Sequence, residues 1–307
     1  MQKVLVIVGP TASGKSALAV RLALRLGSGQ AKKLGYKGVE IISADSRQVY
    51  KGLNVGTGKI TKAEMQGIPH HLLDVADPKK QFSVSDYKEL AEKKLRNIIT
   101  SKKLPIVVGG TGFYIDTLAG TISLPEVPPN KLLRKKLEKL STERLFKMLK
   151  EKDSRRAKSI DPHNKVRLVR ALEIVQALGK VPIGQHRMLT KYKFIYIGLK
   201  SENLEKKIYK RLLKRIPGII RETKKLSPKR AHELGLEYRF ASLYLQGKLN
   251  KLDMVNKLNT AIRQYSRRQM TWFKRNKKIK WFTLSKVEGF KPEEYRKIEK
   301  YTTDMLR

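Results

Sequence analysis

The chain has 307 residues, of which 40% are hydrophobic, so it can bury a core and global disorder is excluded. It contains no cysteine, which excludes disulfide bonds and metal sites with cysteine ligands. The formal net charge is +41, and no apolar run approaches the ~20 residues that a membrane-spanning helix needs, so we expect no membrane partner.

The positive charge is concentrated in the second part of the chain. Residues 1–130 carry a net charge of +9, whereas residues 131–307 carry +32. An excess of this size favours a polyanionic partner, most simply a nucleic acid, although solvated lysine-rich helix faces also contribute to it. The first residues lack the pattern of a signal peptide, which together with the absence of cysteine predicts a reducing, cytoplasmic setting.

The first motif lies between an apolar strand, residues 4–8, and a helical pattern over residues 17–26. This order of strand, glycine-rich loop and helix is typical of a phosphate-binding loop, or P-loop. Backbone amides and the helix dipole would face the phosphate, the lysine would neutralise it, and the Ser16 hydroxyl would bind Mg²⁺. The loop consists of Gly9, Pro10, Thr11, Ala12, Ser13, Gly14, Lys15 and Ser16.

A second buried strand is predicted over residues 39–43, and Asp45 follows it. Ligands gather at the carboxyl ends of strands in a parallel sheet, so this carboxylate is a candidate for the active site. A lone Asp after a strand is also a common helix cap, and both interpretations stay open. The next segment, residues 49–84, has no regular pattern, and for His70 and His71 we expect structural hydrogen bonds.

A third buried strand is predicted over residues 105–108, after an amphipathic helix over residues 85–100. The strand ends in glycines and Thr111, where a nucleotide hydrolase usually carries an acidic residue. Glycines at this edge indicate a close approach of backbone to ligand. Thr111 is a candidate site residue, or else a cap of the helix that follows.

The order of elements predicts an α/β fold, with a parallel P-loop sheet flanked by helices and a helical insertion domain. We expect residues 1–127 to form the first part of the catalytic core, up to a proline-rich hinge. Residues 128–190 would be the basic helical insertion, with the return beginning near residues 181–184. Residues 191–307 would supply a further strand, a helical part broken at Pro217 and Gly218, an edge strand at 280–284 and a terminal helix.

Several stretches in order along the chain resemble the tRNA dimethylallyltransferases, also called tRNA isopentenyltransferases. The last of them reads RQYSRRQMTWF and spans Arg263 to Phe273. The resemblance covers nearly the whole chain, so it is more specific than the P-loop alone. The matching stretches are residues 9–16, 41–52, 56–57 with Lys59, 69–74, 107–114, 167–173 and 263–273.

The resemblance implies transfer of a dimethylallyl group from dimethylallyl diphosphate to N6 of the adenosine beside the anticodon in tRNA. The P-loop would then hold the diphosphate leaving group, with Ser16 and Mg²⁺ neutralising its growing charge. Asp45 would act as the base for the amine, and Thr111 would hydrogen-bond near the reacting centre. The adenosine must leave the base stack of the anticodon loop to reach such a pocket.

The resemblance also implies contacts with the tRNA anticodon stem-loop, from residues near the base and from the basic second half. For the oligomeric state, a monomer is the default expectation. The implied tRNA contacts are Asp45, Ser46, Arg47, Gln48, Thr111, Arg134, Arg167, Arg170, Arg267, Arg268 and Gln269.

The sequence departs from the family pattern at three places. Residues 27–38 form a longer link than usual and are predicted to be a surface loop. Pro217 and Gly218 interrupt a region that is usually a continuous helix, so Arg211 and Arg215 are weaker candidates for phosphate contacts. Residues 235–239 replace the usual Gly-Tyr-Lys/Arg segment.

Two other functions fit parts of the sequence. A P-loop kinase acting on a small metabolite would explain the loop and the sheet, but not the basic insertion or the stretch 263–273. A nucleic-acid-binding ATPase switch without enzymatic transfer would explain the charge, but not the missing acidic residue after the third strand.

Overall fold

The computed structural model describes residues 1–30, 33–182, 191–286 and 289–307. It divides into two compact units, Met1–Ala119 with Leu189–Arg307, and Gly120–Met188. The second unit therefore begins ahead of the proline-rich segment at which the sequence pattern sets the start of the insertion. Among the described residues, no helix is both long and apolar enough to cross a membrane.

The first unit is built on a six-stranded sheet with the order β3-β2-β4-β1-β5-β6. All five pairings in it are parallel, and β6 is an edge strand, as the sequence predicts. The carboxyl ends of β1, β2 and β4 therefore meet at one edge of the sheet. The strands are β1 (Gln2–Val8), β2 (Val39–Ser43), β3 (His70–His71), β4 (Leu104–Gly109), β5 (Tyr192–Ser201) and β6 (Lys280–Leu284).

Helices cover the sheet in the first unit and make up the second unit. In the described residues they are α1 (Lys15–Arg25), α2 (Lys62–Met65), α3 (Val84–Thr100), α4 (Gly112–Leu118), α5 (Lys131–Leu137), α6 (Thr142–Lys152), α7 (Ser154–Ala157), α8 (Lys165–Leu178), α9 (Leu204–Thr223), α10 (Pro228–Leu234), α11 (Leu236–Leu245), α12 (Lys251–Lys274) and α13 (Pro292–Leu306). Most of them begin at Ser, Thr, Asn or Asp caps, as Ser83 caps α3.

Both faces of the sheet are buried, which explains why its central strands are apolar without alternation. On β1, Leu5 and Ile7 pack on the face that α1 and α13 cover. Val4, Val6 and Val8 pack on the opposite face, against α3, α4 and Phe273 of α12. The P-loop, Asp45 and Thr111 therefore extend from a rigid, fully covered sheet.

The prediction that Pro217 breaks a helix is wrong, because α9 runs through it without interruption. A proline leaves the carbonyl four residues earlier, here that of Leu213, without its helical donor. Pro217 is exposed and Leu213 is 45% exposed, so water can satisfy that carbonyl. The adjacent Gly218 lets α9 approach the loop after β2, since a Cβ there would lie 2.6 Å from Val55 Cγ1.

Two further loop predictions need correction. Residues 27–38 were expected to be a loop, but the link begins with a π-helix over Leu26–Gln30; residues 31–32 lie outside the described part. The irregular stretch 49–84 contains α2 and β3. The histidines of β3 do make structural hydrogen bonds, as predicted: His71 Nε2 lies 2.6 Å from Glu40 Oε2, and His70 Nδ1 lies 2.8 Å from Ile68 O. The predicted return at 181–184 falls partly outside the described residues.

The second unit has its own core, made by α5, α6, α7 and α8. Leu145, Leu149 and Leu168 are fully buried there. The only strongly buried acidic side chains described in this unit are Asp153 and Glu173. The helical character predicted for this region is confirmed over the described residues.

A side chain at Gly109 should prevent β2 and β4 from ending side by side, because a Cβ there would overlap the carbonyl group of Ala44. We expect Gly109→Ala to lower the free energy of unfolding by at least about 2 kcal/mol, since both colliding groups are backbone-fixed. Denaturant unfolding measures this. Gly27→Ala is the control, because nothing described lies within 4 Å of its Cβ position; equal stability of the two variants would contradict the prediction.

Candidate active site

The P-loop connects β1 to α1 and needs glycine at two of its positions. Gly9 has φ +151°, and a Cβ there would lie 2.5 Å from the carbonyl oxygen of Leu199. Gly14 caps α1 in the left-handed region, at φ +92°. With these bends, the loop runs directly into the amino end of an eleven-residue helix, where backbone amides and the dipole favour an anion.

Lys15 provides the cation of this loop. Its Nζ donates a hydrogen bond of 2.6 Å to the carbonyl of Pro10, so the side chain folds back over its own loop. The pKa of Lys15 is lowered to about 8: burial lowers it most, the Asp45 carboxylate opposes this, and the Arg211 guanidinium adds a smaller lowering effect. A phosphate bound here would favour the charged form of the lysine.

Asp45 forms a tight turn after β2. Its Oδ1 accepts hydrogen bonds from the amides of Arg47 (2.8 Å) and Gln48 (3.3 Å). Within the described residues, Oδ2 accepts no protein hydrogen bond. No helix follows Asp45, since residues 46–49 form a turn, so Asp45 closes a turn and is not a helix cap. Its role in the active site stays a prediction.

Thr111 connects the turn after β4 to the turn after β2. Its Oγ1 accepts a hydrogen bond of 3.0 Å from the amide of Ser46 and lies 3.4 Å from Ser46 Oγ. The residue begins α4, but its side chain makes no capping bond. In the adjoining backbone, Ala44 N donates to Val108 O at 2.8 Å, and Thr111 N donates to Ala44 O at 3.2 Å. The turns that carry Asp45 and Thr111 are thus hydrogen-bonded to each other.

Gln269 of α12 connects the turn after β4, which carries Thr111, to the P-loop. Its Oε1 accepts from Thr11 N at 2.8 Å, and its Nε2 donates to Gly110 O at 2.8 Å. Three residues later, Trp272 packs on Gly112 and donates to Asp116 Oδ2 at 2.8 Å. The glycines after β4 therefore admit side chains of α12. The prediction of Gln269 as a tRNA contact stays a prediction, since these bonds are internal.

Comparison with known proteins identifies the family. A family model described as IPP transferase matches residues 48–276. A tRNA dimethylallyltransferase from Anoxybacillus flavithermus is 37% identical over 297 residues, covering 92% of this chain and 91% of the relative. The chain belongs to the tRNA dimethylallyltransferase family. It is thus a prenyltransferase enzyme, as the sequence resemblance implies.

Solved structures of this family share the fold. A tRNA isopentenylpyrophosphate transferase from Bacillus halodurans is 32% identical, with a TM-score of 0.71, covering 100% of this chain and 97% of that one. A eukaryotic dimethylallyltransferase, described as acting on tRNA, has a TM-score of 0.82 and covers 100% of this chain and 80% of its own. At 24% identity, the second likeness supports the fold alone.

The loop at residues 54–59 is held by hydrogen bonds to side chains of α9 that no sequence pattern indicated. The buried Glu222 of α9 accepts the amides of residues 54, 55 and 56 at 2.7–2.8 Å and the Tyr238 hydroxyl at 2.9 Å. Arg215 donates to the carbonyls of Val55 and Gly56 in the same loop. This loop in turn accepts a bond from Gln48 at Gly58 O, 3.3 Å. Residues 56–59, which belong to the family motif, are thus fixed in place by α9 and support the turn at Asp45.

The basic residues proposed to contact tRNA differ in their surroundings. In the first unit, the exposed Arg267 pairs with Glu205 at 3.4 Å, and the Arg268 guanidinium lies 6.0 Å from the Tyr265 ring. In the second unit, Arg134 and Arg170 both bind Glu173, whereas Arg167 is exposed.

Glu173 is the centre of the second unit's charged network. Its carboxylate accepts two bonds from Arg134 (2.8 and 2.9 Å), one from Arg170 and one from the amide of Asn130 at 2.5 Å. The side chain of Glu173 is 1% exposed, whereas those of Arg134 and Arg170 are about one-third exposed. The glutamate thereby fixes two guanidinium groups that still reach the surface.

Glu173 should make the second unit sensitive to acid. Burial alone would raise its pKa, but the bonds from Arg134, Arg170 and Asn130 lower the pKa to about 2, from 4.5. A lowered carboxyl pKa contributes stability above pH 4.5 that is lost as the pH falls toward 2. We expect Glu173→Gln to lower the free energy of unfolding by about 1–3 kcal/mol at pH 7, and by less at pH 3.

Thermal unfolding at the two pH values measures this difference. Glu151→Gln is the control, because that exposed side chain lies on α6 away from the network. A loss of stability in Glu173→Gln that is the same at pH 3 and pH 7 would rule out the charged network as its cause.

The affinity of the P-loop for diphosphate should fall with rising pH. Above about pH 8, Lys15 of the free protein is neutral, so binding requires uptake of a proton. We expect the dissociation constant to rise by up to about tenfold per pH unit between pH 8 and 9.5. Calorimetric titration with inorganic diphosphate measures it. Lys15→Arg keeps its charge throughout and accounts for ionisation of the ligand itself; an equal slope in that variant would contradict the prediction.

Proposed function

We propose that this chain transfers the dimethylallyl group of dimethylallyl diphosphate to N6 of the adenosine next to the anticodon in tRNA, releasing diphosphate. The observation that carries the proposal is the edge of the sheet at which the carboxyl ends of β1, β2 and β4 meet. It holds an anion-binding loop, a carboxylate and a hydroxyl, and the chain that forms it belongs to the tRNA dimethylallyltransferase family.

In this proposal, the P-loop binds the leaving group. The N6 lone pair attacks C1 of the dimethylallyl group as the C1–O bond breaks, and that bond's electrons leave with the diphosphate. The amides of residues 9–16 and the Lys15 ammonium stabilise the charge that develops on the oxygen. For this, Lys15 would exchange its bond to Pro10 O for a phosphate oxygen.

Asp45 is proposed to accept the proton that N6 loses. An amine conjugated with a purine is a weak nucleophile, and a carboxylate accepts its proton once positive charge develops on nitrogen. The free Oδ2 suits this role, because Oδ1 already binds the amides of Arg47 and Gln48. Thr111 would hydrogen-bond the substrate beside it, while Ser46, Arg47 and Gln48 would contact the target base and its neighbours.

The donors near the P-loop fit Mg²⁺. The Ser16 hydroxyl is half-buried in the first turn of α1, and Mg²⁺ prefers oxygen ligands. In the described part of the chain, no group of three or more His, Cys, Asp or Glu residues is placed to hold a metal, which suits an ion held mainly by phosphate and water. When bound with the diphosphate, Mg²⁺ would neutralise charge on the leaving group.

The tRNA itself is proposed to bind through phosphate contacts. Turning a base out of the stack costs a few kcal/mol, which contacts to basic side chains can offset. Candidates are Arg267, Arg268 and Gln269 in the first unit and Arg134, Arg167 and Arg170 in the second. The relatives from Anoxybacillus flavithermus and Bacillus subtilis, at 37% and 34% identity, are named tRNA dimethylallyltransferases, in agreement with this substrate. We propose a monomer in a reducing, cytoplasmic setting.

The function is tested by incubating the protein and Mg²⁺ with unmodified tRNA and either radiolabelled dimethylallyl diphosphate or γ-labelled ATP. We expect label in tRNA from the diphosphate only, and in the nucleoside next to the anticodon after digestion. Transfer of phosphate from ATP to a small molecule would instead identify a kinase. ATP hydrolysis stimulated by RNA, without prenylation, would identify a switch ATPase.

Asp45→Asn should separate catalysis from binding, since the amide oxygen still accepts the bonds of the turn but cannot take a proton. We expect kcat to fall by roughly 10²- to 10⁴-fold while the dissociation constant for tRNA stays within about twofold. Single-turnover prenylation and filter binding measure the two quantities. Asp45→Ala, which also loses the turn, should be at least as slow. Equal losses in turnover and affinity for Asp45→Asn would mean that this residue binds rather than catalyses.

A further inference from the structure

Two aromatic rings and a guanidinium group pack together beside the turn that carries Thr111. The Trp272 ring lies against Gly112, the residue after Thr111, since a Cβ on that glycine would overlap Trp272 Cδ1. The Arg275 guanidinium lies over the same ring, with its Cζ 3.9 Å from the ring centroid. Phe113 meets Trp272 edge to face, with the two centroids 6.1 Å apart. We call Phe113, Trp272 and Arg275 the Trp272 stack.

Hydrogen bonds fix the orientation of this stack. Trp272 Nε1 donates to Asp116 Oδ2 at 2.8 Å, and Arg275 Nε donates to the carbonyl of Trp272 at 3.2 Å. The guanidinium also lies 4.0 Å from Asp116 Oδ2. Since α4 and α12 carry all of these groups, a partner that binds here would lose little affinity to the ordering of side chains.

The outer surface of the stack is open and positively charged. The Arg275 side chain is 59% exposed and Phe113 is 37% exposed, whereas the Asp116 side chain is 17% exposed and is bonded to Trp272. Residues 263–280 contain eight lysines or arginines and no acidic residue. A flat, exposed guanidinium in such surroundings suits a partner that has both negative charge and planar rings, as RNA does.

The proposed reaction creates a need for a surface of this kind. When the target adenosine turns out of the anticodon loop, each neighbouring base loses a stacking partner. Aromatic rings and arginine planes can stack on bases of single-stranded RNA. Phe113 follows Thr111 by two residues, so the Trp272 stack lies beside the side chain that is proposed to contact the target base.

We propose that the Trp272 stack is a platform for the base of a nucleotide next to the target adenosine. This rests on the proposed function and adds to it a second subsite for the RNA. The base would lie on the Arg275 guanidinium, which Trp272 supports from below. Because this contact uses the face of the base and not its edges, it would raise affinity without selecting one base over another.

The test measures binding of an unmodified anticodon stem-loop RNA to Arg275→Lys by filter binding. Lysine keeps the positive charge but lacks the planar group. We expect the dissociation constant to rise roughly 3- to 30-fold, because a stacked base is lost. The melting temperature and the slope of log affinity against log salt concentration should stay unchanged, since no charge is removed. Arg296→Lys is the matched control, because that exposed arginine lies on α13, which covers the opposite face of the sheet.

Stem-loops that lack one base show whether the arginine acts through stacking. One RNA has an abasic nucleotide on the 5′ side of the target adenosine, and another has it on the 3′ side. For one of these two, Arg275→Lys should change the affinity by less than about twofold, because the base that the platform would hold is already absent.

Three results would overturn the proposal. They are wild-type affinity in Arg275→Lys, an equal loss of affinity for the intact and both abasic stem-loops, and a loss that accompanies a lower melting temperature. The wild-type protein is assayed separately for prenylation of tRNA. If it prenylates tRNA and Arg275→Lys gives one of these results, only this inference is wrong. If it does not prenylate tRNA, the proposed function is wrong and this inference with it.

Discussion

The candidate active site depends on how closely the backbone at the end of β4 approaches the backbone at the end of β2. Ala44 bonds to Val108 through its amide and to Thr111 through its carbonyl, and only glycine fits at position 109 between them. Asp45 and Thr111 are far apart in sequence. Without this contact, the turns that carry them would not lie side by side. Backbone bonds of the sheet therefore position the two turns that carry Asp45 and Thr111, the residues proposed to contact the target base.

Helix α12 extends this constraint to the P-loop. Gln269 bonds to Thr11 on one side and to Gly110 on the other, so the part that would hold the diphosphate keeps a fixed distance from the part that would hold the amine. Trp272 fills the space beside Gly112. A P-loop hydrolase usually carries an acidic residue directly after the strand that corresponds to β4, whereas here glycines follow β4 and Gln269 and Trp272 of α12 lie beside them.

Each unit is also organised by one buried carboxylate. Glu222 receives three backbone amides and a tyrosine hydroxyl, and it holds the loop that supports the Asp45 turn. Glu173 receives two guanidinium groups and one amide within the helical unit. A buried charge is tolerated only when its hydrogen bonds are satisfied, and both are. In the second case, the same bonds orient arginines that remain accessible to a polyanion.

The sequence by itself determined the sheet, the P-loop and the family. Apolar runs bounded by glycine specify buried parallel strands, and the motifs are local. The positions of residues 9–16, Asp45 and Thr111 after β1, β2 and β4 are therefore confirmed, whereas their roles stay predictions. The tertiary structure alone decided which distant groups meet. No local pattern indicates that Gln269 binds both the P-loop and the turn after β4, or that Glu222 binds the loop at residues 54–56. The continuity of α9 through Pro217 depends on which side of the helix faces water. Propensity acts over a few residues, whereas these contacts join segments that only the packing of helices on the sheet brings together.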